Sequence, residues 1–301
     1  MKINFISYIN RSGSSFLSQK LSEYQEVLVF PEGDALIDKF LLNDKVTNEN
    51  APERIQQILL NDKKLESWNF SNKDINHILN QPNKPLIFKE VLSVFHKKEK
   101  PLAKYFFFKK RDAFVKWDNI KKILSGFSIQ LICLYRDPRA IFFSQKNSID
   151  PYRKKHFNTN PLVISYYWLF FLAHKNCQIS SASLFYEKDI CSYNFNVTYL
   201  FKRLKIFLVS AVNDKSVTYF DILPKEQQKL HQQIVRPANQ TYIDKWRKGL
   251  KKHEIKIIED ICAEKMKELG YTPLKPKVNK FLLIGLKLYY KLRIFFLIDK
   301  Y

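Results

Sequence analysis

Short apolar runs alternate with segments of helical periodicity along the 301-residue chain. The runs are rich in Ile, Val, Phe and Tyr and end in polar clusters, a pattern typical of buried strands. They occupy residues 2–9, 26–30, 104–108, 128–135 and 182–186. Strands that alternate with helices at this spacing form parallel sheets. We therefore predict an α/β fold of three layers, with a central parallel β-sheet flanked by helices.

The run at residues 128–135 (SIQLICLY) is apolar on both faces, so we predict that it is a central strand. Helical periodicity predicts the other elements. Helices are predicted over residues 16–24, 86–96, 113–124, 140–146, 161–179, 195–207, 225–234 and 251–269, with two or three more within 38–81. The apolar stretch of helix 161–179 is too short to span a membrane, so we interpret it as a core helix in which His174 is structural.

Length and apolar content set the predicted domain organisation. Hydrophobic residues make up 46% of the chain, which suits one large α/β domain or two small ones. We predict one domain over residues 1–275, in which residues 35–100 form a helical insertion. A basic and apolar C-terminal helix is predicted over residues 276–301.

The formal net charge of +22 predicts a surface that attracts polyanions or acidic membranes. No helix-turn-helix, zinc or RNA-binding signature accompanies this charge, so we predict no specific nucleic-acid partner. The four cysteines lie far apart without metal-ligand spacing, so we predict no metal site and a reducing compartment. The N-terminus does not resemble a signal peptide, and a cytoplasmic location is therefore expected.

The C-terminal run at residues 281–298 is apolar but is interrupted by Lys287, Lys291 and Arg293. These charges argue against a membrane span. One interpretation is an amphipathic helix on a membrane surface, which makes the protein peripheral on the inner face of the membrane through residues 278–301. The other is a packed C-terminal helix or a dimer contact, and the sequence leaves both open.

The first predicted strand is followed by a hydroxyl-rich turn, Asn10-Arg11-Ser12-Gly13-Ser14-Ser15, and then by a helix. This layout presents backbone N–H groups and the positive end of a helix dipole to an anion. Gly13 lets the backbone approach closely, and the hydroxyls and Arg11 add donors. The turn therefore predicts a phosphate site, with an ordinary helix N-cap made by Ser or Asn as the alternative.

Several segments together resemble the sulfotransferases that use 3′-phosphoadenosine 5′-phosphosulfate (PAPS). The turn at residues 10–15, called the first turn from here on, is similar to that family's 5′-phosphosulfate loop. Asn10 stands where the family often has Pro. Residues 134–140 (LYRDPRA) with Ser144 are similar to its 3′-phosphate motif, residues 186–190 (YEKDI) to the Tyr-Glu-Asp-Leu element that follows the next strand, and residues 245–250 (KWRKGL) to a late segment. The resemblance implies a P-loop-kinase-like fold and a PAPS site. The residues implied for PAPS are Arg11, Ser12, Gly13, Ser14, Ser15, Phe16, Arg136, Ser144, Arg247, Lys248 and Gly249.

The resemblance also implies in-line transfer of a sulfuryl group from PAPS to an acceptor hydroxyl, without a required metal. Arg11 is expected to neutralise charge on the bridging oxygen, and Lys109 is a second cation for the sulfuryl oxygens. Glu32 resembles the Glu that carbohydrate sulfotransferases carry after the second strand, which makes it the expected general base. The acceptor is then a carbohydrate, a glycolipid or a small alcohol, with the insertion at residues 35–100 over its cleft.

Two other classes of function fit parts of the sequence. A P-loop nucleotide kinase shares the fold, but the first loop has a single Gly and no following Lys. A non-enzymatic polyanion-binding protein accounts for the charge but not for the ordered loop, Arg136 and Ser144. The ligand that binds distinguishes the three classes. A sulfotransferase binds PAPS or its product, a nucleotide kinase binds ATP, and a polyanion-binding protein binds any polyanion with a steep salt dependence.

Overall fold

The computed structural model describes residues 1–191, 197–208, 217–236 and 241–298. The strands within these ranges form one five-stranded parallel sheet in the order β2-β3-β1-β4-β5. They are β1 (Lys2–Tyr8), β2 (Val27–Phe30), β3 (Tyr105–Lys109), β4 (Ser128–Tyr135) and β5 (Ala182–Phe185). All five correspond to predicted strands, and the interior position of β4 between β1 and β5 agrees with its two apolar faces.

Helices cover both faces of the sheet. The described helices are α1 (Ser14–Ser22), α2 (Ala51–Asn61), α3 (Asn72–Leu79), α4 (Lys84–Glu99), α5 (Ala113–Ile123), α6 (Pro138–Lys146), α7 (Pro161–Ala173), α8 (Lys175–Gln178), α9 (Thr198–Arg203), α10 (Lys225–His231), α11 (Thr241–Gly249), α12 (Lys252–Glu268) and α13 (Lys280–Ile298). A single π-helical turn, Leu36–Leu41, precedes α2. The predicted three-layer α/β architecture is confirmed.

Side chains that alternate along β1 explain why this strand has apolar residues on both faces. Phe5 packs on one face, where its ring lies 5.6 Å from that of Trp117 on α5. The next side chain, Ile6, belongs to the core on the other face together with Leu17 and Leu21 of α1. Successive side chains of a strand point to opposite faces, and here both faces are buried under helices.

The predicted helix over residues 161–179 is wrong in one respect, because it is broken at His174. Helix α7 ends at Ala173, and His174 adopts an extended backbone with ψ 129°. Its Nδ1 accepts a hydrogen bond from the backbone N–H of Asn176 at 3.3 Å and so caps the short helix α8. His174 thus has the structural role that the sequence predicts.

Two further helix predictions differ from the structure. The predicted helix 195–207 begins outside the described residues, and its described part is helical only over α9. Helix α11 was not predicted as a helix, because its sequence is largely polar. It is anchored by Trp246, whose buried ring lies 3.9 Å from the guanidinium carbon of Arg139.

The segment between β2 and β3 packs directly on the sheet. Trp68 is fully buried there, with its ring stacked on Phe30 of β2 at 5.8 Å and 4.4 Å from the ring of Phe95 on α4. This packing holds Lys64 beside the end of β2. The segment therefore contributes both to the core and to the polar edge of the sheet.

Helix α13 packs on α7 and α12. Tyr290 is buried against Leu162 and Ile257, and its carbonyl oxygen accepts a hydrogen bond from Asn160 at 2.9 Å. No helix in the described part of the chain is both long and apolar enough to cross a membrane.

A basic loop (residues 147–160) connects α6 to α7 and touches two separate regions. At its end, Thr159 Oγ1 accepts a hydrogen bond from the Arg293 guanidinium at 3.3 Å. Earlier in the loop, the ring of Phe157 lies 5.8 Å from the guanidinium carbon of Arg11, and the ring of Tyr152 lies 5.9 Å from Lys64 Nζ. The basic loop therefore lies between α13 and the first turn.

Candidate active site

The polar strand ends meet at one edge of the sheet. Because all strands are parallel, the loops after β1, β2, β3 and β4 leave from the same edge. The order of the strands places the end of β1 between those of β3 and β4. The first turn therefore lies between Lys109, at the end of β3, and Arg136, just after β4.

The first turn has the backbone of an anion-binding loop. Arg11 and Gly13 both have positive φ angles, 73° and 94°. The N-cap residue of α1 is Gly13, and no side chain caps the helix. The alternative of an ordinary Ser or Asn cap is thus wrong. An uncapped helix start leaves its first N–H groups for an external partner, and the helix dipole favours an anion there.

Two of the predicted phosphate motifs meet at Arg11. Its Nε donates a hydrogen bond to Ser144 Oγ at 3.0 Å, and its carbonyl oxygen accepts one from the Arg136 guanidinium at 2.8 Å. Burial and the neighbouring Arg136 charge lower the pKa of Arg11 to about 10, so the side chain remains a cation at neutral pH. Two guanidinium groups held this close favour an anion between or beside them.

The segment after β5 holds both motifs in place. The Arg136 guanidinium carbon lies 4.2 Å from the ring of Tyr186, and the same ring packs against Gly13. Glu187 accepts hydrogen bonds from the backbone N–H of Asp137 at 3.0 Å and from the Tyr271 hydroxyl at 2.9 Å. Residues 186–190 thus link the first turn to the start of α6.

Unpaired polar atoms mark the same place. Ser12 Oγ and Arg136 Nε are both buried, and neither has a hydrogen-bond partner within the described residues. Buried polar atoms are nearly always satisfied, so each of these points to a ligand or a water. Both are donors, as a phosphate oxygen requires.

Among the described residues, the late segment (residues 245–250) contacts α6 but not the side chains of Arg11 and Arg136. Gly249 lies against the ring of Phe143, which precedes Ser144, so closely that a Cβ at this position would lie 2.1 Å from the ring. The Arg247 and Lys248 side chains are exposed, and Arg247 Nε donates to Asp244 at 2.6 Å. The structure therefore brings the backbone of α11 beside Ser144, while the side chain of Arg247 is paired on its own helix.

Lys109 lies at the centre of the second half of the site. Its fully buried Nζ donates to Ser15 Oγ at 3.0 Å and to the Tyr219 hydroxyl at 2.9 Å, and it lies 3.5 Å from Glu32 Oε1. Burial lowers the pKa of Lys109, and the charge of Glu32 opposes this effect. The cation is thus fixed beside α1 in a dry environment.

Glu32 is ionised and surrounded by donors. Its Oε2 accepts hydrogen bonds from Lys64 Nζ at 2.8 Å and from the Gln227 amide at 3.2 Å. Burial raises the pKa of Glu32, but the charges of Lys64 and Lys109 together outweigh it and hold that pKa well below its usual range. A carboxylate held in this way is a weak base while both lysines remain in place.

His231 is a residue of this site that the sequence analysis did not find. It ends α10, and its Nε2 lies 3.4 Å from Ser15 Oγ. Burial, with the nearby charges of Lys109 and Arg11, lowers the pKa of His231 to about 3. The imidazole is therefore neutral at physiological pH and has a nitrogen lone pair to accept a proton.

The neutral state of His231 predicts a pH dependence of stability. An unfolded histidine has a pKa of about 6.5, so between pH 6.5 and 3 the unfolded chain binds the extra proton. The stability that neutral His231 contributes is complete above pH 6.5 and is lost as the pH falls. Between pH 7 and pH 5 we expect the free energy of unfolding to drop by about 1–2 kcal/mol through this residue.

Chemical unfolding at pH 7 and pH 5 measures this drop, because the carboxylates titrate mainly at lower pH. The wild type is expected to lose more stability than His231→Asn. His156→Asn, at an exposed position in the basic loop, is the matched control and should behave as the wild type. Equal losses in the wild type and in His231→Asn contradict the prediction.

The described part of the chain contains no cluster of three or more His, Cys, Asp and Glu side chains that could hold a metal ion. Its four cysteines are all free and buried. The polar side chains of the site are instead mostly cations and hydroxyls, a set of groups that binds an anion.

Comparison with known proteins gives the fold a name. No family model and no curated protein matches the chain. Among solved structures, the sulfotransferase domain of the Synechococcus PCC 7002 olefin synthase matches with a TM-score of 0.54 and 17% identity, covering 86% of this chain and 94% of that domain. The chain therefore has the fold of a sulfotransferase domain, as the resemblance of its motifs implies.

Two other solved sulfotransferases align less closely. The sulfotransferase domain from the curacin biosynthetic pathway has a TM-score of 0.49 and 17% identity, covering 90% of this chain and 98% of that domain. Sulfotransferase STF9 from Mycobacterium avium has a TM-score of 0.46 and 10% identity, covering 90% of this chain and 77% of that protein.

Proposed function

We propose that this chain is a sulfotransferase that moves the sulfuryl group of PAPS to an acceptor hydroxyl. The observation that carries the proposal is the convergence of Arg11, Arg136 and Ser144 around the first turn. Two buried donors, Ser12 Oγ and Arg136 Nε, lie in the same region and have no hydrogen-bond partner among the described residues. This arrangement fits a ligand with two separate anionic groups better than a single phosphate.

In this proposal the 5′-phosphosulfate and the 3′-phosphate of PAPS bind to different sets of residues. The 5′-phosphosulfate lies on the N-terminal turn of α1, where Ser12 to Phe16 supply backbone N–H groups. The 3′-phosphate lies beside Arg136 and Ser144, with Arg247, Lys248 and Gly249 approaching from α11. The support is the packing of Gly249 against Phe143, the residue before Ser144, and the start of α1, where no side chain of the described residues acts as a cap.

The transfer breaks one S–O bond and forms another. The acceptor oxygen attacks sulfur in line, and the electron pair of the breaking bond passes to the bridging oxygen of the 5′-phosphate. Arg11 and Lys109 stabilise the negative charge that collects there, because the half-buried Arg11 and the fully buried Lys109 both lie beside the N-terminus of α1. The acceptor proton goes to a base on the acceptor side.

Two residues are candidates for this base, Glu32 and His231. The pKa of His231 is depressed by burial and by the charges of Lys109 and Arg11, and the pKa of Glu32 is depressed by the charges of Lys64 and Lys109, which outweigh its burial. A bound donor brings negative charge next to the same cations, which raises the pKa of both groups toward a useful range. Glu32 remains our proposal from the family resemblance. The neutral imidazole of His231 is the second candidate, because within the described residues it has no hydrogen bond to a lysine, whereas Glu32 accepts one from Lys64.

The acceptor is proposed to be a hydroxyl of a carbohydrate or glycolipid, with a small alcohol as the alternative. The support is Glu32, which follows β2, together with the segment between β2 and β3, which packs beside Glu32 and places Lys64 within hydrogen-bond distance of it.

The experiment that tests the function compares thermal stabilisation by adenosine 3′,5′-bisphosphate with stabilisation by ATP. We expect a selective shift with the bisphosphate, and Arg136→Ala should weaken its binding about 10- to 100-fold, because a charged hydrogen-bonding partner is lost. Each variant is compared with its own ligand-free melting temperature, since Arg136 also packs on Tyr186. Labelled PAPS with an acceptor screen then measures transfer.

The matched control is Arg153→Ala, which removes an exposed arginine that is paired with Asp150 in the basic loop. It should bind the bisphosphate as the wild type does. An equal shift with ATP favours a nucleotide kinase. A shift with any polyanion that disappears steeply with salt favours a polyanion-binding protein, and either result contradicts the proposal.

A further inference from the structure

Helix α13 has two apolar faces, and only one of them is packed. Leu283, Leu286, Tyr290 and Ile294 face the domain. On the other side, six large apolar side chains are between 51% and 85% exposed. They are Phe281, Leu282, Ile284, Leu288, Tyr289 and Leu292.

Helical geometry arranges the exposed side chains as one stripe. At 100° per residue, Phe281, Leu288 and Leu292 lie within about 40° of one another. Leu282 and Tyr289 border this line on one side, and Ile284 borders it on the other. The exposed residues therefore form a continuous apolar surface along the outside of α13.

Cations border the stripe on both sides. By the same geometry Lys280, Lys287 and Lys291 follow one edge, between the exposed stripe and the packed face, and Arg293 lies on the other edge. The sequence has no Asp or Glu from residue 269 to residue 298, but it has six Lys and Arg residues there. An apolar stripe flanked by cations is the pattern of a helix that lies in a lipid interface.

We propose that α13 docks in the plane of an anionic lipid surface. Its exposed apolar side chains enter the boundary between headgroups and acyl chains, and the exposed Lys280 and Lys291 contact lipid phosphates, while Lys287 is paired with Asp260. The packed face keeps the helix parallel to the domain surface. This proposal stands apart from the proposed catalytic function, because it rests on the outer side chains of α13 and on none of the residues that form the candidate active site.

The positive charge around the stripe favours an anionic lipid surface over a second copy of the chain as its binding partner. A dimer that joined two α13 stripes would bring the flanking cations of both copies together, on a protein whose net charge is +22. An anionic bilayer satisfies the apolar stripe and the cations at the same time. On helix α7, against which α13 packs, Val163, Tyr166 and Phe170 share one face and are also exposed.

Vesicle flotation of the full chain tests the docking. Vesicles of phosphatidylglycerol and phosphatidylcholine are compared with vesicles of phosphatidylcholine alone, at about 0.1 M salt so that long-range attraction is screened. The wild type should bind the anionic vesicles at least about tenfold more tightly. Leu288→Ser with Leu292→Ser should weaken that binding about a hundredfold, since two leucines no longer enter the lipid.

Matched variants separate docking from general charge attraction. Lys280→Glu with Lys291→Glu should weaken binding about tenfold or more. Lys45→Glu with Lys63→Glu makes the same charge change at exposed positions elsewhere, and Leu60→Ser with Leu102→Ser removes equally exposed leucines. Both controls should stay within about twofold of the wild type. All substituted side chains are exposed, and an unchanged melting temperature verifies folding.

Three results overturn the proposal. The first is an absence of binding to anionic vesicles. The second is an equal loss in the α13 variants and their controls, which indicates diffuse attraction by the whole surface. The third is a concentration-dependent dimer in light scattering that Leu288→Ser with Leu292→Ser abolishes, because the stripe then binds a second copy.

Discussion

Lys109→Met is expected to lower the rate of sulfuryl transfer about a thousandfold. The Lys109 side chain is fully buried, and Ser15 and Tyr219 fix its Nζ beside the first turn of α1. A cation held in a dry site stabilises developing charge far more than one in water, and it needs no reorganisation during the reaction. Steady-state turnover with labelled PAPS measures the effect on kcat.

The matched control for this change is Lys104→Met. Lys104 lies just before β3, at the opposite end of the strand, where its ammonium group is exposed and paired with Glu26. Its loss should leave kcat within about twofold of the wild type. Because Lys64 remains bonded to Glu32 in Lys109→Met, the carboxylate keeps a partner and the fold should persist. A kcat within tenfold of the wild type would show that Lys109 has only a structural role.

Gly13→Ala is expected to weaken donor binding about a hundredfold. A Cβ at this position would lie 2.2 Å from the ring of Tyr186, and the φ of 94° is unfavourable for any L side chain. Tyr186 cannot move alone, because its buried ring carries the Arg136 guanidinium. The substitution therefore displaces the first turn and the arginine together. Calorimetric titration with adenosine 3′,5′-bisphosphate measures the affinity.

Substitutions of two other glycines are the controls. Gly270 tests the effect of a positive φ without a rigid neighbour, and Gly126 tests the effect of an added Cβ in open space. Gly126→Ala has nothing within 4 Å of the new Cβ. Gly270→Ala shares the positive φ, 81°, but its nearest neighbour is the flexible end of Lys188 at 3.3 Å. Both should bind the ligand as the wild type does, although Gly270→Ala should be less stable by about 1 kcal/mol. Unchanged affinity in Gly13→Ala would mean that the turn does not hold the donor.

The sheet and the first turn were predictable from sequence because local patterns determine both. Each strand is a short run of mainly apolar residues that ends in polar residues, so the sequence predicts all five. The positive φ of Gly13 follows from a glycine between a strand and a helix. Ser144 and Arg136 lie close in sequence, because Ser144 is in α6 and Arg136 directly precedes the N-cap of that helix, Asp137. Their contact with Arg11 follows from the adjacency of β1 and β4.

The rest of the site depends on contacts over long distances in the sequence. Lys64 reaches Glu32 across 32 residues, and Tyr219 reaches Lys109 across 110. His231 meets Ser15 across 216 residues, and nothing in its local sequence distinguishes it from a histidine at any exposed helix end. The break at His174 was also hidden, because its neighbours continue the helical pattern.

The basic loop contacts both the first turn and α13, and these contacts have a thermodynamic consequence. One end of the loop is bonded to α13 through Asn160 and Arg293, and Phe157 lies against Arg11 in the first turn. Any free energy that this loop transmits must act equally in both directions. A ligand that tightens the first turn and strengthens lipid binding by some factor is itself held more tightly at a membrane by that same factor.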